Sequence, residues 1–179
     1  MMNTPTDGSP PVVEHDVWND DGESDDEQHG FADYTCEELL DQAQSNAQAA
    51  IMATARFLHD RGIPLGEWAR SLGETFSLAW DEPRAWEAGE FMDAMLTNLR
   101  ALGADVVSAE LGLDRAEAVI EGFPDPMLSA MFKVDPALTA EFNHATDVIA
   151  VARGIDWTWA LDGDQVRLIA TVAAPVGGS

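Results

Sequence analysis

Lysine occurs once in this 179-residue chain, at Lys133, and all basic side chains together number nine against 33 acids. Binding to nucleic acid rests on clustered Lys and Arg that neutralise phosphates, so no direct nucleic-acid partner is expected. Cysteine also occurs once, as Cys36. A single thiol excludes an intramolecular disulfide and any multi-cysteine zinc site. No run approaches the roughly 20 apolar residues that a membrane span requires, and no membrane partner is expected. The N-terminus is polar and acidic, without the basic start and apolar segment of a secretory signal, so a cytoplasmic location is expected. G-x-S-x-G and phosphate-cradling glycine loops are missing too, and with them the commonest hydrolase and nucleotide signatures.

What the chain has in abundance is negative charge, a formal −24. Ten of the acids fall in residues 1–33 beside no Lys or Arg, while the other 23 face all nine bases. The acidity therefore extends beyond the leader. It fits a highly solvated surface, a basic protein partner, or mimicry of a nucleic acid. Hydrophobic residues still make up 46% of the chain, enough for a packed core.

Residues 1–33 read as a disordered acidic leader, 34–174 as a single domain, and 175–179 as a flexible C-terminus. Val12, Val13, Val17, Trp18 and Phe31 interrupt the acidic leader, and Trp18 there is a candidate anchor for a partner. Thr35-x-x-Glu38 has the spacing of a capping box and opens a long first helix closed by Gly62 and Pro64. Its expected inner stripe includes Leu39, Ala47, Ile51, Thr54 and Phe57. A second helix is expected from Pro64 to Trp80, with Leu65, Trp68, Leu72, Phe76 and Ala79 inward. Asp81-Glu82-Pro83 starts a third, striped by Met92, Met95, Leu96 and Leu99 and ended by Gly103.

Beyond Gly103 the period changes to two. Asp105–Leu111 and Ala116–Glu121 flank a Gly112–Arg115 turn, and Gly122-Phe123-Pro124 stops this first hairpin. Asp125-Pro126 opens a short helix, and Asp135-Pro136 opens a longer one that runs to Arg153. The second hairpin is the sharpest signal. Ile155, Trp157, Trp159 and Leu161 alternate with polar or small residues, Asp162-Gly163 suits a tight type I′ turn, and Val166, Leu168, Ala170 and Val172 alternate again. The expected fold is α+β: an antiparallel four-stranded sheet from two hairpins, packed against about five helices.

Few residues suggest chemistry. Glu141-x-x-His144 sets two potential ligands on one helical face with Asp147 three residues on. The paired set of a di-iron bundle would need a second such element, and none exists here. No catalytic residue and no metal ligand is assigned, and no cofactor is named. The candidate ligand contacts are Trp157 and Trp159 on the strand, Phe142 and Ile149 on the preceding helix, and Arg167 at the rim with Asp156 or Thr158. A filled core beneath the indoles is the simpler alternative to a pocket.

Leu102-Gly103-Ala104-Asp105-Val106-Val107, the Gly122-Phe123-Pro124 stop, Ala152-Arg153-Gly154 and the Asp162-Gly163-Asp164 turn carry a resemblance. From Leu99 onward the chain resembles vinyl-reductase-type ligand-binding domains, related in fold to heme-nitric-oxide-binding domains. The resemblance implies a small-molecule-binding or accessory fold. The family's metal-binding cysteine and histidine pattern and its tyrosine-serine-arginine haem signature do not occur here, so haem is not implied.

The reading is a noncatalytic module that binds a small apolar ligand or serves as an acidic accessory domain. Two alternatives accompany it: an enzyme whose site is built from dispersed acids around Glu141 and His144, and an acidic decoy for a basic protein partner.

Overall fold

The structure, a computed structural model, describes residues 34–80 and 84–174. The leader at 1–33, the Asp81-Glu82-Pro83 break and the terminus at 175–179 lie outside the described residues. Thr35 starts the helical layer as expected. Its hydroxyl oxygen accepts from the Glu38 amide at 3.2 Å, and Glu38 Oε2 accepts from the Thr35 amide at 2.8 Å, which closes the capping box. The Thr35 amide, and then its hydroxyl, hold the Glu38 carboxyl below its usual range.

Helix α1 (Cys36–His59) buries Gln48, Met52 and Ala55. Its apolar stripe was expected one position round, yet Leu39 and Phe57 are 53% and 52% exposed. The polar Gln48 explains the rotation. Its Nε2 donates to the Leu102 and Gly122 carbonyls at 2.8 and 2.7 Å, and its Oε1 accepts from the Asp125 amide at 2.9 Å. One buried amide thus ties α1 to two connections, α3–β1 at Leu102 and β2–α4 at Gly122 and Asp125, and serves three of their backbone groups. Gln48→Leu keeps the volume but strips all three bonds, and should cost about 2–3 kcal/mol in a chemical denaturation series.

Helices α2 (Leu65–Ser77) and α3 (Ala88–Ala101) follow. The start of α3 falls later than Pro83 because the β1–β2 turn fixes it: the Ala88 and Gly89 amides donate to the Leu113 and Gly112 carbonyls at 2.8 Å. Asp125 caps α4 (Pro126–Phe132) and Asp135 caps α5 (Pro136–Ala140), each with a first-turn proline. The single helix expected from Pro136 to Arg153 is instead α5, a 3-10 turn at Glu141–Asn143, and α6 (His144–Val151). Buried Asn143 donates from Nδ2 back to the Ala140 carbonyl at 3.0 Å, a local bond that competes with helix continuation.

The four strands are β1 (Asp105–Leu111), β2 (Arg115–Glu121), β3 (Ile155–Asp162) and β4 (Gln165–Val172), ordered β1-β2-β4-β3 and antiparallel throughout. This is the expected α+β fold. The hairpins meet through β2 and β4, where Ala116, Ala118 and Ile120 stand opposite Ala170, Leu168 and Val166. These six are buried under the helices. In the β3–β4 turn the positive φ falls on Gly163 alone, at +65°, between the paired Asp162 and Gln165. That is the pattern of a type II′ turn with glycine first, which corrects the type I′ expectation.

Arg153 locks the end of α2 to the end of α6. It is 3% exposed and donates to Ser77 Oγ at 3.2 Å and to the Ile149 carbonyl at 3.4 Å. A guanidinium beside two helix C-termini is favoured by both dipoles. Burial pulls its pKa below the ordinary arginine value.

Candidate functional site

The site begins with small residues. Helix α2 buries Leu65, Gly66, Ala69 and Gly73. A Cβ added at Gly73 would lie 2.2 Å from the Ala145 carbonyl oxygen, so the backbones of α2 and α6 nearly touch. Contact along this stripe turns the larger side chains of α2 to its flank. Trp68, Leu72 and Phe76 were expected in the core; Trp68 and Leu72 are half-buried, and Phe76 is 45% exposed.

Those three side chains form one wall of a cleft of about 590 Å³ between α1, α2, α3 and α6. Ile51 of α1 lies across from them, and buried Met95, Leu99 and Ile149 lie in its floor. Phe142 completes an aromatic corner, its ring 6.0 Å from that of Trp68. Among the described residues, no Asp, Glu, His, Lys or Arg lines this cleft. Three of its polar side chains are engaged with nearby carbonyls: Thr54 Oγ1 donates to Ala50 O at 2.8 Å, Asn98 Nδ2 to Ala94 O at 3.1 Å, and Asn143 as above. An apolar volume in the 300–1,000 Å³ range with few free polar groups is the form of a small-molecule site.

The five expected ligand contacts divide. Phe142 and Ile149 line the cleft. Trp157 does not; it is 9% exposed and lies edge-on against Phe91 at 5.7 Å, inside the main core. Its Nε1 is buried with no hydrogen-bond partner among the described residues. Trp159 is half-buried beside His144, with ring centroids 5.3 Å apart. Arg167 lies on the opposite face of the sheet, since it alternates with the fully buried Val166 and Leu168. There it bonds Glu117, and this contact together with Arg115 at 3.2 Å holds the Glu117 carboxyl below its usual range. Trp157 is thus packed into the core, and Arg167, on the outer face, does not rim the same side of the sheet.

Sequence reasoning missed Trp68, Leu72 and Phe76 as cleft residues. The available signal was Gly66, Ala69 and Gly73 on one side of the same helix, a small-residue stripe that competes with the large one for the buried face.

Glu141, His144 and Asp147 do share a face. Asp147 Oδ2 is 2.6 Å from His144 Nδ1, and Glu141 Oε2 is 3.3 Å from Nε2, so each ring nitrogen meets a carboxylate. Among the described residues, no group of three or more His, Cys, Asp or Glu is arranged to hold a metal ion. Cys36 is an exposed free thiol in the first turn of α1. Among the described residues no helix is long and apolar enough to cross a membrane.

The geometry defines an α+β domain with an uncharged cleft on its helical side. Comparison with known protein families, curated proteins and solved structures gave no match.

Proposed function

We propose that this chain is a noncatalytic, cytoplasmic binding module that takes a small apolar ligand in the cleft between α1, α2, α3 and α6. The observation that carries this reading is the lining: in a chain of formal charge −24, no charged side chain among the described residues lines a volume of about 590 Å³. Among the described residues the cleft is lined by no carboxylate, imidazole, amine, guanidinium or thiol, and its aromatic corner at Trp68 and Phe142 suits a planar ring or an acyl chain. The family resemblance implies small-molecule binding as well.

Leu72→Arg should block the cleft while leaving the fold intact, because Leu72 is only half-buried on the α2 flank. Calorimetric titration with a panel of aromatic compounds and medium-chain acyl ligands should give saturable binding to the native chain. The variant should bind at least about tenfold more weakly, equivalent to the loss of roughly 1.4 kcal/mol. No binding across the panel, or equal binding to both proteins, would refute the reading.

A further inference from the structure

A second, polar cleft of about 1080 Å³ opens between the C-terminal end of α1, the N-terminal end of α2, the α4–α5 connection and the 3-10 turn. Three of the nine bases line it, Arg56, Arg70 and Lys133, together with His59 and His144. Four acids line it as well: Asp60, Glu67, Asp135 and Glu141. The balance of charges is decided by which of these groups are already engaged.

Three of the four acids are occupied within the protein. Asp60 pairs with Arg56 at 3.7 Å, Asp135 accepts from the Ala137 amide at 2.9 Å, and Glu141 faces His144 at 3.3 Å. Two of the three bases are not. Among the described residues neither Arg70 nor Lys133 has a carboxylate within ion-pair distance, in a chain that carries 33 acids. The polar contact of Arg70 is a long one, 3.5 Å from Nη2 to His144 Nδ1, and Asp147 already holds that ring nitrogen. Gly66 makes the convergence sterically feasible: a Cβ there would lie 3.2 Å from His144 Cδ2, 3.4 Å from Arg70 Nη1 and 3.5 Å from Glu141 Oε2. The first amides of α2 open on the same side, and its N-cap, Pro64, offers no side-chain acceptor to them.

We propose that this cleft binds the oxyanion group of a small polar ligand, a carboxylate or a phosphate, through Arg70 and Lys133. The Arg70 fork matches two oxygens of either group, and Lys133 adds a point charge. The α2–α6 contact separates this site from the apolar cleft, so each can fail without the other.

The test is calorimetric titration of the full chain with pyrophosphate and, separately, with citrate, at low and constant ionic strength. At least one should bind saturably, and the preference between them names the oxyanion. Arg70→Gln and Lys133→Gln should each weaken binding about tenfold, the scale of one charge-assisted hydrogen bond. Arg100→Gln, which removes an exposed charge outside the cleft, should leave it unchanged. Equal weakening by Arg100→Gln would reduce the effect to diffuse electrostatics and overturn the proposal. So would unchanged binding in Arg70→Gln and Lys133→Gln, or no saturable binding of either anion. Melting curves that match the native chain establish that each variant is folded.

Discussion

Gly73→Ala should destabilise the domain by about 3 kcal/mol or more, although it adds one methyl group to a helix interior and should on propensity alone be stabilising. The new Cβ would sit 2.2 Å from the Ala145 carbonyl oxygen and 2.9 Å from its carbon. Those atoms belong to the backbone of α6 and have no rotamer to yield. Relief requires α2 and α6 to separate, which strips packing from Ala69 and pulls at the Arg153 bonds between the two helix ends. The melting temperature should fall by about 6–12 °C for a chain of this size. Trp68, Leu72 and Phe76 ride on the displaced helix, so ligand binding in the apolar cleft should weaken in parallel. A variant as stable as the native chain would show that α2 and α6 are not in backbone contact.

Trp157→Ala should be the costliest substitution on the sheet, at about 3–5 kcal/mol. The indole packs edge-on against Phe91, which also meets Trp80 at 5.9 Å and Trp86 at 6.4 Å, so its removal opens a hole in the aromatic centre of the core. Trp157→Phe separates packing from polarity. It keeps a ring against Phe91 and removes an indole N–H that is buried without a partner among the described residues, a defect that itself costs about 1–3 kcal/mol. Its net effect should be less than half that of alanine. Urea titrations of the two variants read the difference directly, and equal losses would contradict the filled-core account.

The sheet was legible in the sequence because a period of two leaves each strand residue only one of two faces. All four strands, both hairpins and the inward-facing apolar sets of β2 and β4 follow from it, whereas the pairing of β2 with β4 does not. By the same rule Arg167, between Val166 and Leu168, belongs on the outer face, and a rim position beside the indoles was inconsistent with it. Helices were harder to read because a helix has many possible faces and hydrophobicity alone does not rank them. In α1 the deciding group was polar: Gln48 turned inward to satisfy three backbone groups far away in sequence. In α2 two stripes competed, and the small one was buried because Gly73 permits an approach that Trp68 and Phe76 do not. The cleft is a by-product of that choice, visible only once α2 and α6 are known to be neighbours. Phe142 and Ile149 were found for a different reason, as the inner face of a helix expected to cover the strand.

Six tryptophans report on this protein, and two of them separate the cleft from the core. The decisive measurement is titration of the native chain, Trp68→Phe and Trp157→Phe with a naphthalene-class probe that accepts indole emission. Saturable quenching should be present in the native chain, persist in Trp157→Phe with unchanged affinity, and lose a clear share of its amplitude in Trp68→Phe, with Trp80, the other indole lining the cleft, carrying the remainder. Quenching that survives in Trp68→Phe and disappears in a folded Trp157→Phe would place the ligand beneath the strand and contradict the account.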